Sequence, residues 1–87
     1  MSYIQELADK LADDVLKSEI ELDDDRFYEK VSRVLLAASP TFQEAYITSI
    51  RVRLAERRGR EFLEKALKAK REGAALPDAP PDSGAGH

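Results

Sequence analysis

The chain has no cysteine and no tryptophan, and its single histidine, His87, is the last residue. Without cysteine it has neither disulfides nor thiolate metal sites, a composition compatible with a cytoplasmic location. The usual nucleophile–base pairs of enzymes are also missing, because a histidine at the end of a tail is not held rigidly as a base or a ligand. The sequence therefore predicts a protein that is not an enzyme, with no catalytic residues, no metal and no cofactor.

Long apolar runs are absent as well. No stretch approaches the roughly 18 consecutive apolar residues of a membrane-spanning helix, so we expect no transmembrane segment. The N-terminus does not show the basic and then apolar pattern of a signal peptide, and we expect a cytoplasmic protein. The 87 residues suffice for one small domain of marginal stability, for which oligomerisation is the simplest additional stabilisation.

The stretch from Ser39 to Gly73 predicts one long helix over residues 40–72. Ser39 is a residue type that caps helix N-termini, and Pro40 suits the first turn of a helix. Basic residues followed by Gly73 are typical of a helix C-terminus. Such a helix would be about 50 Å long, so we expect part of it to extend beyond the domain. Gly59 leaves two alternatives open, a continuous helix, which we favour, or a break.

Two shorter helices are predicted before it, over about residues 2–17 and 25–38, because apolar residues recur there with helical spacing. Ser18–Asp25 is interpreted as an acidic connection, with Ile20 and Leu22 holding it against the core. Residues 1–73 thus predict an all-α, three-helix domain in which the two short N-terminal helices pack on the long one. Residues 74–87 contain three prolines and two glycines and predict a flexible tail.

The acidic turn Asp23–Asp25 is the one place where a hard cation is conceivable. It lacks the spaced ligands, the central glycine and the final glutamate of a calcium loop. We therefore interpret these residues as solvated charges, one of which caps the second helix.

The apolar pattern of the long helix changes phase near its middle. Up to Leu54 the apolar residues fit the core of the domain, whereas the later ones repeat at steps of four and three, the spacing of a narrow packing seam. An exposed apolar stripe of this kind indicates a protein interface, and a symmetric homodimer is its simplest form. The predicted partner or oligomer interface comprises Ala55, Gly59, Phe62, Leu63, Ala66 and Leu67.

Five arginines occupy the middle of the same helix and form a candidate surface for an anion or an acidic partner. The helix pair over about Asp25–Arg60 resembles a helix-turn-helix motif in outline, which implies nucleic-acid binding as an alternative function. Against this alternative, the formal net charge is −3, whereas nucleic-acid-binding domains are usually basic. The cluster comprises Arg51, Arg53, Arg57, Arg58 and Arg60.

Charge is distributed unevenly along the chain. Residues 1–39 hold five basic and ten acidic residues, and residues 40–73 hold nine basic and five acidic residues. The two segments are therefore complementary within one molecule, between two copies or towards a partner. The hypothesis from sequence is a small cytoplasmic adaptor or regulatory subunit that binds a protein through its C-terminal helix and self-associates as a homodimer or higher oligomer.

Overall fold

The computed structural model describes residues 2–81, which contain three helices and no strand. They are α1 (Tyr3–Leu22), α2 (Phe27–Ala38) and α3 (Pro40–Glu72). The predicted all-α fold, with two short helices and one long C-terminal helix, is confirmed. α3 continues through Gly59 without a break. No helix within the described residues combines enough length with enough apolar character to cross a membrane. By its internal contacts the chain divides into two compact units, with the boundary between Ala55 and Glu56.

The core of the first unit is built by α1 and the first part of α3. Its largest fully buried side chains are those of Tyr46 and Ile50. α2 contributes only partly buried side chains. Helical spacing predicts that Val34 lies on the buried face of α2, but its side chain is 68% exposed. The reason is that α2 covers the core with a narrower face, centred on Val31 and Leu35. The buried apolar residues are Ala8, Ala12, Val15, Leu16, Tyr46 and Ile50.

Side-chain caps fix the start of two helices. The Ser2 hydroxyl accepts a hydrogen bond from the Gln5 N–H at 3.1 Å, and the Ser39 hydroxyl accepts one from the Phe42 N–H at 3.2 Å. Each bond satisfies a backbone donor that has no partner inside the helix. α3 accordingly begins at Pro40, as the sequence predicts.

The C-terminus of α3 is also where the sequence predicts it. Gly73 adopts a left-handed conformation with φ 72°. Its N–H donates to the Lys70 carbonyl at 3.4 Å, and the Ala74 N–H donates to the Ala69 carbonyl at 2.9 Å. These two bonds form a Schellman motif, which closes the helix and reverses the chain.

α1 is longer than the sequence suggests, because it ends at Leu22 rather than near Lys17. The Ser18 hydroxyl donates to the Asp14 carbonyl at 2.8 Å, so this serine is accommodated within the helix. No glycine or proline interrupts the segment that follows. Ile20 is 93% exposed and Leu22 is 48% exposed, so the prediction that they hold a loop against the core is wrong.

A second Schellman motif ends α1, with Asp23 in the left-handed position at φ 53°. The Asp23 N–H donates to the Ile20 carbonyl and the Asp24 N–H donates to the Glu19 carbonyl, both at 3.1 Å. Asp24 then closes the turn, because its carboxylate accepts from the Arg26 N–H at 3.0 Å. As a result α2 begins at Phe27, slightly later than predicted.

The second unit contains the rest of α3 and the segment that follows it. Residues 74–81 form neither helix nor strand, and Pro77 among them is half-buried. The remainder of the predicted tail, residues 82–87 with His87, lies outside the described residues.

Candidate functional site

Arg53 is the arginine most tightly integrated into the first unit. Its guanidinium donates to the Asp13 carboxylate at 3.3 Å and to the Asp9 carbonyl at 3.1 Å, and both acceptors lie on α1. A third bond goes to the Ser49 hydroxyl at 3.1 Å, within α3. Arg53 therefore ties α3 to α1, and its donors are directed at the chain's own acceptors.

The acidic partner of Arg53 belongs to a small charge network on α1. The Lys17 ammonium lies 2.7 Å from the other oxygen of the Asp13 carboxylate. Mainly through this hydrogen bond, and also through the charge of Arg53, the pKa of Asp13 is lowered. The pKa of Lys17 is raised for the same reason. Asp13 is thus held ionised as the counter-charge of Arg53.

Arg51 lies at the edge of an open groove of about 340 Å³ in the first unit, between α2 and α3. In this groove the Gln43 amide donates to the Ser32 hydroxyl at 2.8 Å and links the two helices. Glu29 also lines the groove, and its carboxylate accepts two hydrogen bonds from the Arg26 guanidinium, which lowers its pKa. A cation and an anion therefore share this groove, so it is not specific for anions.

Arg57, Arg58 and Arg60 belong to the second unit, and all three are exposed. The Arg60 guanidinium donates twice to one carboxylate oxygen of Glu56, at 2.6 and 2.9 Å, one helical turn away. This pairing raises the pKa of Arg60. Among the predicted anion-binding arginines, Arg53 and Arg60 thus already have carboxylate partners within the chain, which weakens the case for a phosphate-binding surface.

The second unit carries the larger apolar residues of the predicted interface. Phe62 is 37% exposed, Leu63 is 50% exposed and Leu67 is 47% exposed. Ala66 is half-buried and Gly59 is exposed. A Cβ atom placed on Gly59 would have no neighbour within 4 Å, so another backbone can approach this point closely. Ala55, the first residue of the predicted seam, is exposed at the end of the first unit.

The proline-containing segment after Gly73 lies beside part of the apolar face of α3. A surface cavity of about 510 Å³ in the second unit is lined on one side by α3 and on the other by the segment after Gly73. The sequence does not predict this arrangement, because a short segment without hydrophobic periodicity gives no indication of which surface it packs on. The lining residues are Arg58, Gly59, Glu61, Phe62, Lys65, Pro77, Asp78, Ala79 and Pro80.

The acidic turn between α1 and α2 uses its charges locally. The Lys30 ammonium lies 2.8 Å from the Asp24 carboxylate. This bond, together with the one from the Arg26 N–H, lowers the pKa of Asp24. Asp23, Asp24 and Asp25 also line a shallow cavity beside Glu19 and Ile20. Within residues 2–81 no group of three or more histidine, cysteine or acidic residues is placed to hold a metal ion.

Comparison with protein-family models, with curated protein sequences and with solved structures finds no significant match to this chain.

Proposed function

We propose that this chain is a non-catalytic protein-interaction module, a small adaptor or regulatory subunit, that binds through the second part of α3 and self-associates. The observation that supports the proposal is the exposure of three large apolar residues within two helical turns of the second unit: Phe62, Leu63 and Leu67. Two leucines of this surface remain about half exposed. A partner that covers them lowers the free energy, because burying apolar surface is favourable.

A second copy of the chain is the partner that the charges favour. Residues 56–73 hold seven basic and four acidic residues, a net charge of +3, whereas residues 1–55 hold seven basic and eleven acidic residues, a net charge of −4. If two identical seams faced each other, basic residues such as Arg58 and Lys65 would be brought towards their own copies. If the seam faced the acidic α1 of another copy, opposite charges would meet.

The exposed end of α1 offers apolar surface for such a contact. Ile4 is 41% exposed and Leu7 is 42% exposed, and the acidic Glu6 between them is also exposed. The proposed dimer is therefore reciprocal, with the second unit of each copy against the α1 surface of the other. The absence of cysteine is compatible with a reducing compartment, and we place the module in the cytoplasm as part of this proposal.

Paired substitutions test the proposal in the full chain. The double variant Leu63→Gln, Leu67→Gln replaces two exposed apolar side chains of α3 with glutamine, a polar residue that forms helices well. We expect its dimer dissociation constant, measured by sedimentation equilibrium, to rise at least about tenfold, which corresponds to about 1.4 kcal/mol. Circular dichroism should show unchanged helicity, because neither leucine lies in the core of the first unit.

The matched control is the double variant Val34→Gln, Leu36→Gln. These residues are also apolar, helical and exposed, at 68% and 53%, but both lie on α2, outside the two proposed surfaces. We expect the control to dimerise like the unmodified chain. Equal weakening by both pairs would indicate a nonspecific effect of surface hydrophobicity and would contradict the proposed interface.

Nucleic-acid binding through the arginines is the alternative that the sequence left open. It predicts an affinity for nucleic acid that falls steeply with salt concentration, because counterions are released on binding. An Arg58→Gln substitution would then weaken binding to nucleic acid, whereas the leucine substitutions would not. The pairing of Arg53 and Arg60 with carboxylates weighs against this alternative.

A further inference from the structure

The segment after α3 lies along the apolar face of its own helix. The Schellman motif at Gly73 reverses the chain, and residues Pro77–Pro80 form one wall of the cavity whose other wall includes Gly59 and Phe62. Both walls belong to the second unit. The residues that line the cavity are thus brought together although they are far apart in sequence.

Burial differs between the two sides of this helix. Phe62, Ala66 and Ala69 recur at steps of four and three and therefore share a face. The two alanines are half-buried and Phe62 is 37% exposed, whereas Leu63 and Leu67 on the neighbouring side are 50% and 47% exposed. The segment that follows Gly73 contributes the half-buried Pro77.

The chemistry of the segment matches the face that it lines. Proline and alanine supply apolar surface opposite Phe62, and Asp78 lines the same cavity as the cations Arg58 and Lys65. Proline also restricts the backbone before docking, which reduces the conformational entropy lost when the segment is ordered. A proline-containing peptide with one acidic residue is therefore a fitting ligand for this face.

We propose that residues 76–81 form an intramolecular strap that occupies part of the apolar face of α3 and competes with a second copy of the chain for it. The inference rests on the proposed function, because it names how access to the same surface is regulated. A short tether gives an effective concentration of about 1 mM, so the strap lowers the apparent affinity for a partner without preventing binding. A tight partner displaces it.

Truncation of the chain after Ala75 tests the proposal. This cut removes the strap and keeps the Ala74 N–H that closes the helix. We expect the backbone amide NMR signals of Arg58, Gly59, Phe62 and Lys65 to shift, although they are distant in sequence from the cut. We also expect the dimer dissociation constant to fall severalfold relative to the full chain.

A synthetic peptide with the sequence of residues 74–87 provides the reverse experiment. When it is titrated into the truncated chain at millimolar concentration, it should return those amide signals towards their positions in the full chain. Asp78→Lys in the full chain should shift the same signals as the truncation does, whereas Glu44→Lys, an equal change of charge at an exposed position of the first unit outside α1, should not.

The proposal is overturned if truncation leaves the four amide signals unchanged, or if both chains dimerise and the truncated chain does so no more tightly than the full chain. If neither chain dimerises, the proposed function fails. The strap is then judged by the amide shifts and the peptide titration alone, since neither measurement requires a second copy. If the peptide restores the amide signals, the strap is supported as an intramolecular ligand. If the peptide does not restore them, the proposed strap is contradicted.

Discussion

Arg53 contributes to the fold through three hydrogen bonds, two of which cross from α3 to α1. Its neighbours in sequence have other surroundings: Arg51 is exposed at the edge of a groove, and Arg60 pairs with Glu56. Residues of one type that are close in sequence therefore have different roles. The sequence pattern located the cluster, but the direction of each guanidinium depends on the acceptors that tertiary packing brings near it.

We predict that Arg53→Ala lowers the free energy of unfolding by about 1 kcal/mol, because the lost ion pair is partly exposed and screened by solvent. Urea denaturation followed by circular dichroism, at one protein concentration, measures the change. Arg51→Ala is the control and should alter the stability by less than about 0.5 kcal/mol. Equal effects of the two substitutions would show that Arg53 has no special structural role.

Tyr46 provides a second prediction at this scale. Its hydroxyl donates to the Tyr28 carbonyl at 3.0 Å, and burial, with a smaller contribution from the charge of Glu19, raises its pKa to about 12. The neutral form is thus favoured in the folded state. The resulting stabilisation is fully present below the unfolded pKa of about 10 and is lost as the pH rises from there through about 12.

We therefore expect urea denaturation to show a decline in stability between about pH 10 and pH 12 that is steeper in the unmodified chain than in Tyr46→Phe. The phenylalanine variant is less stable at neutral pH, because the Tyr28 carbonyl loses its donor, but it has no phenol to titrate. Parallel curves for the two proteins would contradict the raised pKa. The remaining two tyrosines are present in both proteins and cancel in the comparison.

At the scale of the element, the helix ends show which signals the sequence carries. The start of α3 at Pro40 and its end before Gly73 were predictable, because a serine cap and a glycine in the left-handed position are specific. The end of α1 was not predictable, since its left-handed position is filled by Asp23, and aspartate is also common in turns that do not end a helix. Ile20 and Leu22 fit a core only if their segment is a loop, whereas in α1 they lie at the surface.

We predict that Asp23→Gly stabilises the fold by about 1 kcal/mol. Glycine adopts a positive φ without steric cost, and the substitution removes a negative charge from the negative end of the α1 dipole. Thermal unfolding followed at 222 nm measures the effect as a higher midpoint. Asp25→Gly removes the same charge from the same turn, at a residue without a positive φ, and should not stabilise the chain. A destabilised Asp23→Gly protein would contradict this explanation.

At the scale of the whole molecule, the two parts of α3 have different roles. Its first part completes the core of the first unit with Tyr46 and Ile50, whereas its second part presents Phe62, Leu63 and Leu67 at the surface. The phase change in the apolar pattern indicated these residues from sequence. The nearness of the segment after Gly73 was not predictable, because it depends on a docked chain without regular secondary structure.

The uneven distribution of charge along the chain affects how two copies associate. Acidic residues prevail before Glu56 and basic residues prevail over 56–73. Attraction between these segments of different copies weakens with salt, whereas the contribution of the apolar face does not. Self-association should therefore weaken in high salt without disappearing.

The most direct test of the central claim is sedimentation equilibrium of the full chain and of the chain that ends at Ala75. Concentrations from about 1 μM to about 1 mM cover dissociation constants of the weak and moderate kind expected for a small surface. We predict that the average mass of each chain rises from that of a monomer towards that of a dimer, at lower concentration for the shorter chain. A monomer mass for both chains at every concentration would contradict self-association through α3.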